Sequence, residues 1–306
     1  MSEDLPERLV GAANAIYGSH ARNRALHAKG IWCEGSFTGS PEAAAMCRAA
    51  YLSGAAIPAI VRFSNGGGNP ASNDANREVR GLAVKLLPEG GDEADLLATT
   101  TPAFVARTAE DFCELLQARV PDPETGEPDM ERLGAYLAAH PEAQAAIQGT
   151  LGVEVPASFA TVPYFSPHAF RFLGADGTAT WAKARWIPLA GEHRLIDDEA
   201  QALGRDYLHT ELPERLEQGP VEFDLVLAIA GEDDSLDDPT AVWPDDREQL
   251  VAGRLTVERS TDDPEAGGSI HVFDPMRLPD GVEPSDDPIL HIRHSSYSVS
   301  AYARLE

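Results

Sequence analysis

The sequence predicts an α+β protein, a predominantly antiparallel sheet or barrel with helices packed on its outside. Two observations carry this. Strand-like runs are joined by turns or by helices of uneven length, without the regular strand–helix alternation of a parallel sheet. No internal repeat and no linker divides the 306 residues, and 43% hydrophobic residues can fill a large core, so one domain over 1–306 is expected.

Leu9, Val10, Ala13 and Ile16 stand at helical spacing, which predicts a helix over 3–17. Alternation follows, with Trp32, Glu34, Ser36 and Thr38 against Ile31, Cys33, Gly35 and Phe37, and predicts a strand over 31–38. An alanine-rich helix is expected over 41–52 behind Ser40 as N-cap. Further strands are expected over 57–63, 79–87, 168–173, 179–187, 221–230, 254–258 and 269–273. Helices are expected over 109–118 and 130–140, the second broken by Pro141 before it resumes, and over 197–203 and 212–217. The stretch 288–305 has no interior glycine or proline and predicts a final helix.

Charge narrows the function. There are 24 basic and 50 acidic residues, a net charge of −26, which repels phosphate backbones and anionic lipid. Nucleic acid and membrane surfaces are therefore not expected partners. The opening MSEDLPERLV has no apolar core and does not read as a secretory signal. Cys33, Cys47 and Cys113 stand at no metal-like spacing and read as inert thiols of a reducing compartment. A cytoplasmic location is the expectation. The glycine-rich Ser64–Gly68 lacks the spacing of a phosphate loop, and the nine histidines include no HExxH pair.

The final helix carries more. Arg293 and Tyr297 are four apart and Arg304 seven further on, so the three share roughly one face, among the small residues Ser295, Ser296, Ser298, Ser300 and Ala301. A surface pair on an amphipathic helix is one reading. The other starts from the cation, which favours the phenolate of its neighbour. Tyrosinate is a recognised axial ligand of haem iron, and Arg24, Arg62 and Arg304 could hold the two propionates. His27 lies just before the first strand, either as a structural residue or as the group that moves a proton between peroxide oxygens.

RALHAKG at 24–30, VRFSN at 61–65, REVRGLAVKL at 77–86, TPAFVAR at 101–107, DDPTAVWPDDRE at 237–248 and RLPDGVEPSDDPILHIRHSSY at 277–297 resemble the haem catalases in order and spacing. The resemblance spans roughly 20–305. The short chain resembles the catalase-related peroxidases, which keep the barrel and its haem pocket without the long arm and C-terminal helical region. It implies an eight-stranded antiparallel barrel, a haem b (iron) cofactor, a small peroxide and an external electron donor as partners, and a homodimer. It implies His27 as distal histidine, Ser64 as the serine orienting it, Tyr297 as iron ligand and Arg293 as the arginine holding the phenolate, with Asp287 behind. Arg24, Arg62 and Arg304 match propionate-binding arginines, and Phe112 a phenylalanine on the distal haem face.

Three positions depart from the catalase pattern. Thr100 stands in place of the distal asparagine, Gly66 in place of a channel-narrowing valine, and Val105 in place of a distal phenylalanine. All three are expected to alter or enlarge the distal pocket. Arg185 stands where catalases often have a histidine behind the proximal arginine. The resemblance therefore implies a haem peroxidase that reduces organic hydroperoxides, and hydrogen peroxide more weakly, through an oxyferryl intermediate. An allene-oxide-synthase-like dehydratase, a monofunctional catalase and a haem carrier are the alternatives.

Overall fold

A computed structural model describes residues 4–305. Helix α1 (Leu5–Tyr17) begins behind Asp4, whose carboxylate accepts the Leu5 N–H. Strand β1 (Gly30–Gly39) leads through α2 (Pro41–Met46) to β2 (Ala56–Asn65), β3 (Arg80–Leu86) and β4 (Ala94–Thr99). Helices α3 (Ala109–Arg119), α4 (Met130–Ala139) and α5 (Pro141–Gly152) follow, Pro141 ending one helix and opening the next. After the two-residue β5 (Val155–Pro156) come β6 (Tyr164–Leu173), β7 (Ala179–Pro188) and β8 (Arg194–Leu195), the last paired with β5. The chain closes with α6 (Asp197–Ala202), α7 (Tyr207–Gln218), β9 (Val221–Ile229), β10 (Gln249–Thr261), β11 (Val282–Pro284) and α8 (Pro288–Ala303).

Eight of these strands close a barrel in the order β6-β4-β3-β2-β1-β10-β9-β7, with β7 pairing back onto β6 and every ladder antiparallel. Closure removes the unpaired edges that an open sheet would expose. Its interior is aromatic. Phe63 stacks on Phe159 at 5.6 Å and lies 6.0 Å from both Tyr164 and Phe223, while Phe37 meets Trp186 edge-on. All six are buried, so truncating Phe63 to alanine costs about 3–5 kcal/mol. A separate layer forms where α1, α3 and α8 pack through Leu9, Ala12, Cys113, Leu116 and Ile292. Among the described residues no helix is long and apolar enough to cross a membrane.

The α+β barrel is the one expected, and most elements lie where periodicity places them. The exceptions have tertiary causes. The helix expected over 41–52 stops at Met46, because the Arg48 N–H goes to the Leu173 carbonyl and Cys47 Sγ to that of Gly281. Helix α7 starts earlier than 212, since Asp74 caps the Leu208 N–H from a distant loop. Strand β4 was not expected because Asp95, fully buried against Lys85 Nζ at 2.6 Å, breaks the apolar pattern. Residues 269–273 form no strand. Their backbone is spent on side chains, with His271 N–H donating to Glu265 and the His271 carbonyl accepting from Arg24. Cys33, Cys47 and Cys113 are buried and unpaired, and burial pushes the Cys33 thiol up to about 12.

Candidate active site

His27 is one of two described non-glycine residues with left-handed backbone, φ 56°. Such a conformation costs about 1–3 kcal/mol and persists where surroundings enforce it. Here the His27 N–H donates to the Gly66 carbonyl, Ala28 N–H to that of Gly67, and Gly67 N–H to Glu78 Oε2. The loop thus turns the imidazole toward β2, where Nδ1 lies 3.0 Å from Ser64 Oγ. Neither side chain would fit if β3 carried a Cβ at Gly81, which would stand 2.7 Å from Ser64 Oγ and 2.8 Å from His27 Nδ1. The residue is half-buried. Burial foremost, then Arg62, Arg293 and Arg24, pull its pKa down to about 3, so it is neutral at working pH. With Nδ1 held by serine, Nε2 remains to accept or return a proton.

Thr100 is tied to the same corner. Its N–H donates to the Arg80 carbonyl and its Oγ1 accepts the Arg80 N–H at 2.9 Å, which leaves the hydroxyl proton free. It also lines a cavity of about 290 Å³ whose walls combine Pro102, Ala146, Val155 and Val242 with Arg77, Glu78, Glu142, Glu154 and Arg194, and to which neither His27 nor Ser64 contributes. Val105 is partly buried against the cluster of Leu115 and Tyr136. Gly66 does not enlarge the pocket as expected. A Cβ there would lie 2.5 Å from Val79 Cγ2 and 2.9 Å from the Val79 carbonyl, so Val79 already fills that space.

A second group of site residues is built on α8. Asp287 caps it, Oδ1 accepting the N–H groups of Ile289 and Leu290 at 2.8 and 3.2 Å. Its second oxygen, Oδ2, lies 2.6 Å from His168 Nδ1, and His168 Nε2 lies 2.7 Å from Arg293 Nη1. Arg293 Nε donates in turn to the Tyr297 hydroxyl at 2.9 Å. A guanidinium only donates, so Nε2 accepts and Nδ1 carries the proton to Asp287. Burial, the largest effect, brings His168 down to about 4, in agreement with a neutral ring. The expectation for Arg185 is corrected here. The histidine behind Arg293 is present, but β6 supplies it, while Arg185 on β7 donates to Gln249 Oε1. Asp287 accordingly sits one residue further back, behind the histidine.

Arg24, Arg62 and Arg304 do converge. Arg24 and Arg62 lie over the Trp32 ring, their Cζ atoms 5.3 and 5.6 Å from its centroid. Arg24 and Arg304 share the carboxylate of Glu265, and Arg62 Nη2 donates to the Ala28 carbonyl. The Nε atoms of Arg62 and Arg304 are buried with no partner. The Ala25 N–H faces Ser300 Oγ at 3.5 Å, which brings the His27 segment alongside α8. Phe112 is half-buried and edge-on to Phe104 in the layer of α1, α3 and α8. Sequence reasoning missed His168, Gly81 and Glu265. His168 is the only one with a signal, a histidine in an apolar strand.

A family model described as Catalase matches residues 16–306. The catalase-related peroxidase of Mycolicibacterium paratuberculosis is 39% identical over 300 residues, spanning 98% of this chain and 94% of that protein. That of Synechococcus elongatus is 33% identical over 295 residues, 96% of this chain and 87% of its own length. Catalase-2 of Bacillus subtilis is 30% identical, but this chain spans only 44% of it. Among solved structures, a fungal catalase superposes with a TM-score of 0.83 at 25% identity over 94% of this chain and 60% of that one.

Proposed function

The chain belongs to the catalase family, and from that premise we propose that it is a haem b peroxidase that reduces organic hydroperoxides, and hydrogen peroxide more weakly, with electrons from an external donor. The observation that carries the reading is the pairing of two sites: a neutral histidine on a serine, and a tyrosine held by an arginine.

The residues fit haem. Two buried guanidinium Nε atoms, of Arg62 on β2 and of Arg304 at the end of α8, lack acceptors, which suits carboxylates, and the Tyr297 oxygen faces a cation that favours its phenolate. Tyr297 would hold the iron, and Arg62 and Arg304 the propionates. When bound, haem supplies an iron centre that accepts oxidising equivalents from a peroxide. His27 Nε2 takes the proton of one peroxide oxygen and returns it to the other, while Ser64 keeps the ring oriented. Thr100 offers its hydroxyl proton to the peroxide. The apolar part of the cavity that Thr100 lines, with Pro102, Ala146, Val155 and Val242, supports a substrate with a hydrocarbon body. The reading takes the protein as a homodimer.

The test is turnover of cumene hydroperoxide and of hydrogen peroxide, each with and without a dye reductant. The reading expects reductant-dependent conversion of the organic hydroperoxide to its alcohol, faster than hydrogen peroxide is consumed. Oxygen evolution from hydrogen peroxide at catalase rates would overturn it, and so would a dehydrated product formed without reductant.

A further inference from the structure

One fully buried carboxylate ties together the two chain segments that carry His27 and Ser64. It belongs to Asp74, in the loop between β2 and β3. Its Oδ1 accepts from Lys29 Nζ at 2.6 Å and from Asn65 Nδ2 at 2.9 Å. Lys29 stands two residues after His27, and Asn65 directly follows Ser64. Asp74 Oδ2 accepts the Leu208 N–H at 2.9 Å and lies 3.1 Å from His209 Nδ1, both in the first turn of α7. Lys29 Nζ also donates to the carbonyls of Ser72 and Arg205 at 2.8 and 3.2 Å and lies 2.8 Å from Asp206 Oδ1. The Asp74 backbone is held as well, its N–H donating to the Arg205 carbonyl and its own carbonyl accepting from Arg80 Nη2.

The pair needs such a tie because the β1–β2 ladder ends at it. Gly30 opposite Ser64 closes the register, and only the Asn65 N–H, donating to the Lys29 carbonyl at 2.9 Å, extends it. Past that point the left-handed His27 is held through Gly66 and Gly67, whose carbonyls accept the N–H groups of His27 and Ala28. A backbone of that kind persists only where its surroundings over-determine it. We propose that Asp74 is a positioning residue for the reaction with peroxide, which grips Lys29 and Asn65 with one oxygen and so sets His27 Nδ1 against Ser64 Oγ. This rests on the reading of His27 as the acid–base group. Asp74 acts through that pair and takes no part in proton transfer.

The test uses the full chain loaded with haem, as wild type, Asp74→Asn, Asn65→Leu, His27→Ala and the double variants that join His27→Ala to each of the other two. Asp74→Asn turns an amide toward groups that donate. Asn65→Leu removes one arm and leaves Lys29 paired, and it carries the test if Asp74→Asn does not fold. Stopped-flow mixing with peroxide reads the rate, and amide hydrogen exchange compares residues 27–28 with 31–38 of β1. Displacing a catalytic group by about 1 Å can cost about 10²-fold, so Asp74→Asn and Asn65→Leu are each expected to slow the reaction by about 10- to 100-fold. Neither is expected to add to the loss in His27→Ala. Exchange is expected to quicken at 27–28 and to stay as in wild type over 31–38. A loss that multiplies that of His27→Ala would overturn the proposal by giving Asp74 a role independent of the pair. Wild-type rates in both variants would overturn it, and so would exchange raised equally along β1, the mark of a merely structural role. His27→Ala as fast as wild type, or a wild type that takes up no haem, would overturn the reading beneath the inference, and the inference with it.

Discussion

His168 Nε2 accepts a hydrogen bond from Arg293 Nη1 at 2.7 Å, although the two residues come from opposite ends of the fold's second half. The contact leaves the ring one tautomer and one charge state. A buried carboxylate at the start of α8 is thereby connected, through a ring on the barrel wall, to a phenol further along the same helix.

Replacing His168 with leucine would leave Asp287 as a buried charge without its partner and Arg293 without its anchor. Removing one member of a buried polar pair costs about 3–5 kcal/mol. Glutamine can donate to Asp287 and accept from Arg293, so His168→Gln is expected to retain a large part of that stability. Chemical denaturation of both variants checks the ordering, which a purely space-filling role for the ring would not produce.

The two depressed histidines give a pH dependence with a definite sign. In the unfolded chain each takes a proton near pH ~6.5, while in the folded protein His27 waits until about 3 and His168 until about 4. The unfolded state therefore binds more protons as pH falls below ~6.5, and stability falls with it, by up to about 1.4 kcal/mol per pH unit for each ring. Above pH ~7 these groups contribute no slope. Urea melts from pH 7.5 to 5 measure it, and His27→Ala is expected to flatten the curve.

His27→Ala is also expected to slow the reaction with peroxide by about 10²–10⁴-fold, the usual worth of a positioned acid–base group. Haem occupancy is expected to stay intact, because Tyr297 and not His27 is the proposed iron ligand. Stopped-flow mixing with peroxide, beside a haem stoichiometry, separates the two. Loss of haem together with rate would assign His27 a structural role.

Gly66→Val tests whether this position shapes the channel. Its Cβ would meet Val79, so the substitution is expected to lower the melting temperature and not to shift preference between peroxides. Val79→Ala is expected to give back the lost room in the double variant. A stable Gly66→Val that turns over hydrogen peroxide normally but loses cumene hydroperoxide would show instead that the channel runs past Gly66.

Periodicity placed most helices and barrel strands because the apolar faces of α1, α3, β1 and β2 follow regular spacing. It failed where a charge is buried by pairing, as at Asp95 in β4, or where side chains take over the backbone, as at His271. At the site, His27 with Ser64 and Arg293 with Tyr297 were legible because a local motif carries each. His168 was not, since the motif points to β7 and the ring arrives from β6. Glu265 belongs to no motif, and only the fold brings two arginines onto it.

The central claim is that Tyr297 holds haem iron as tyrosinate. The most direct measurement is the absorption spectrum of wild type and Tyr297→Phe after titration with haem. The account predicts one haem per chain with a five-coordinate tyrosinate spectrum in the wild type, and loss of that spectrum in the variant. An unchanged Soret band at full occupancy in Tyr297→Phe would contradict it.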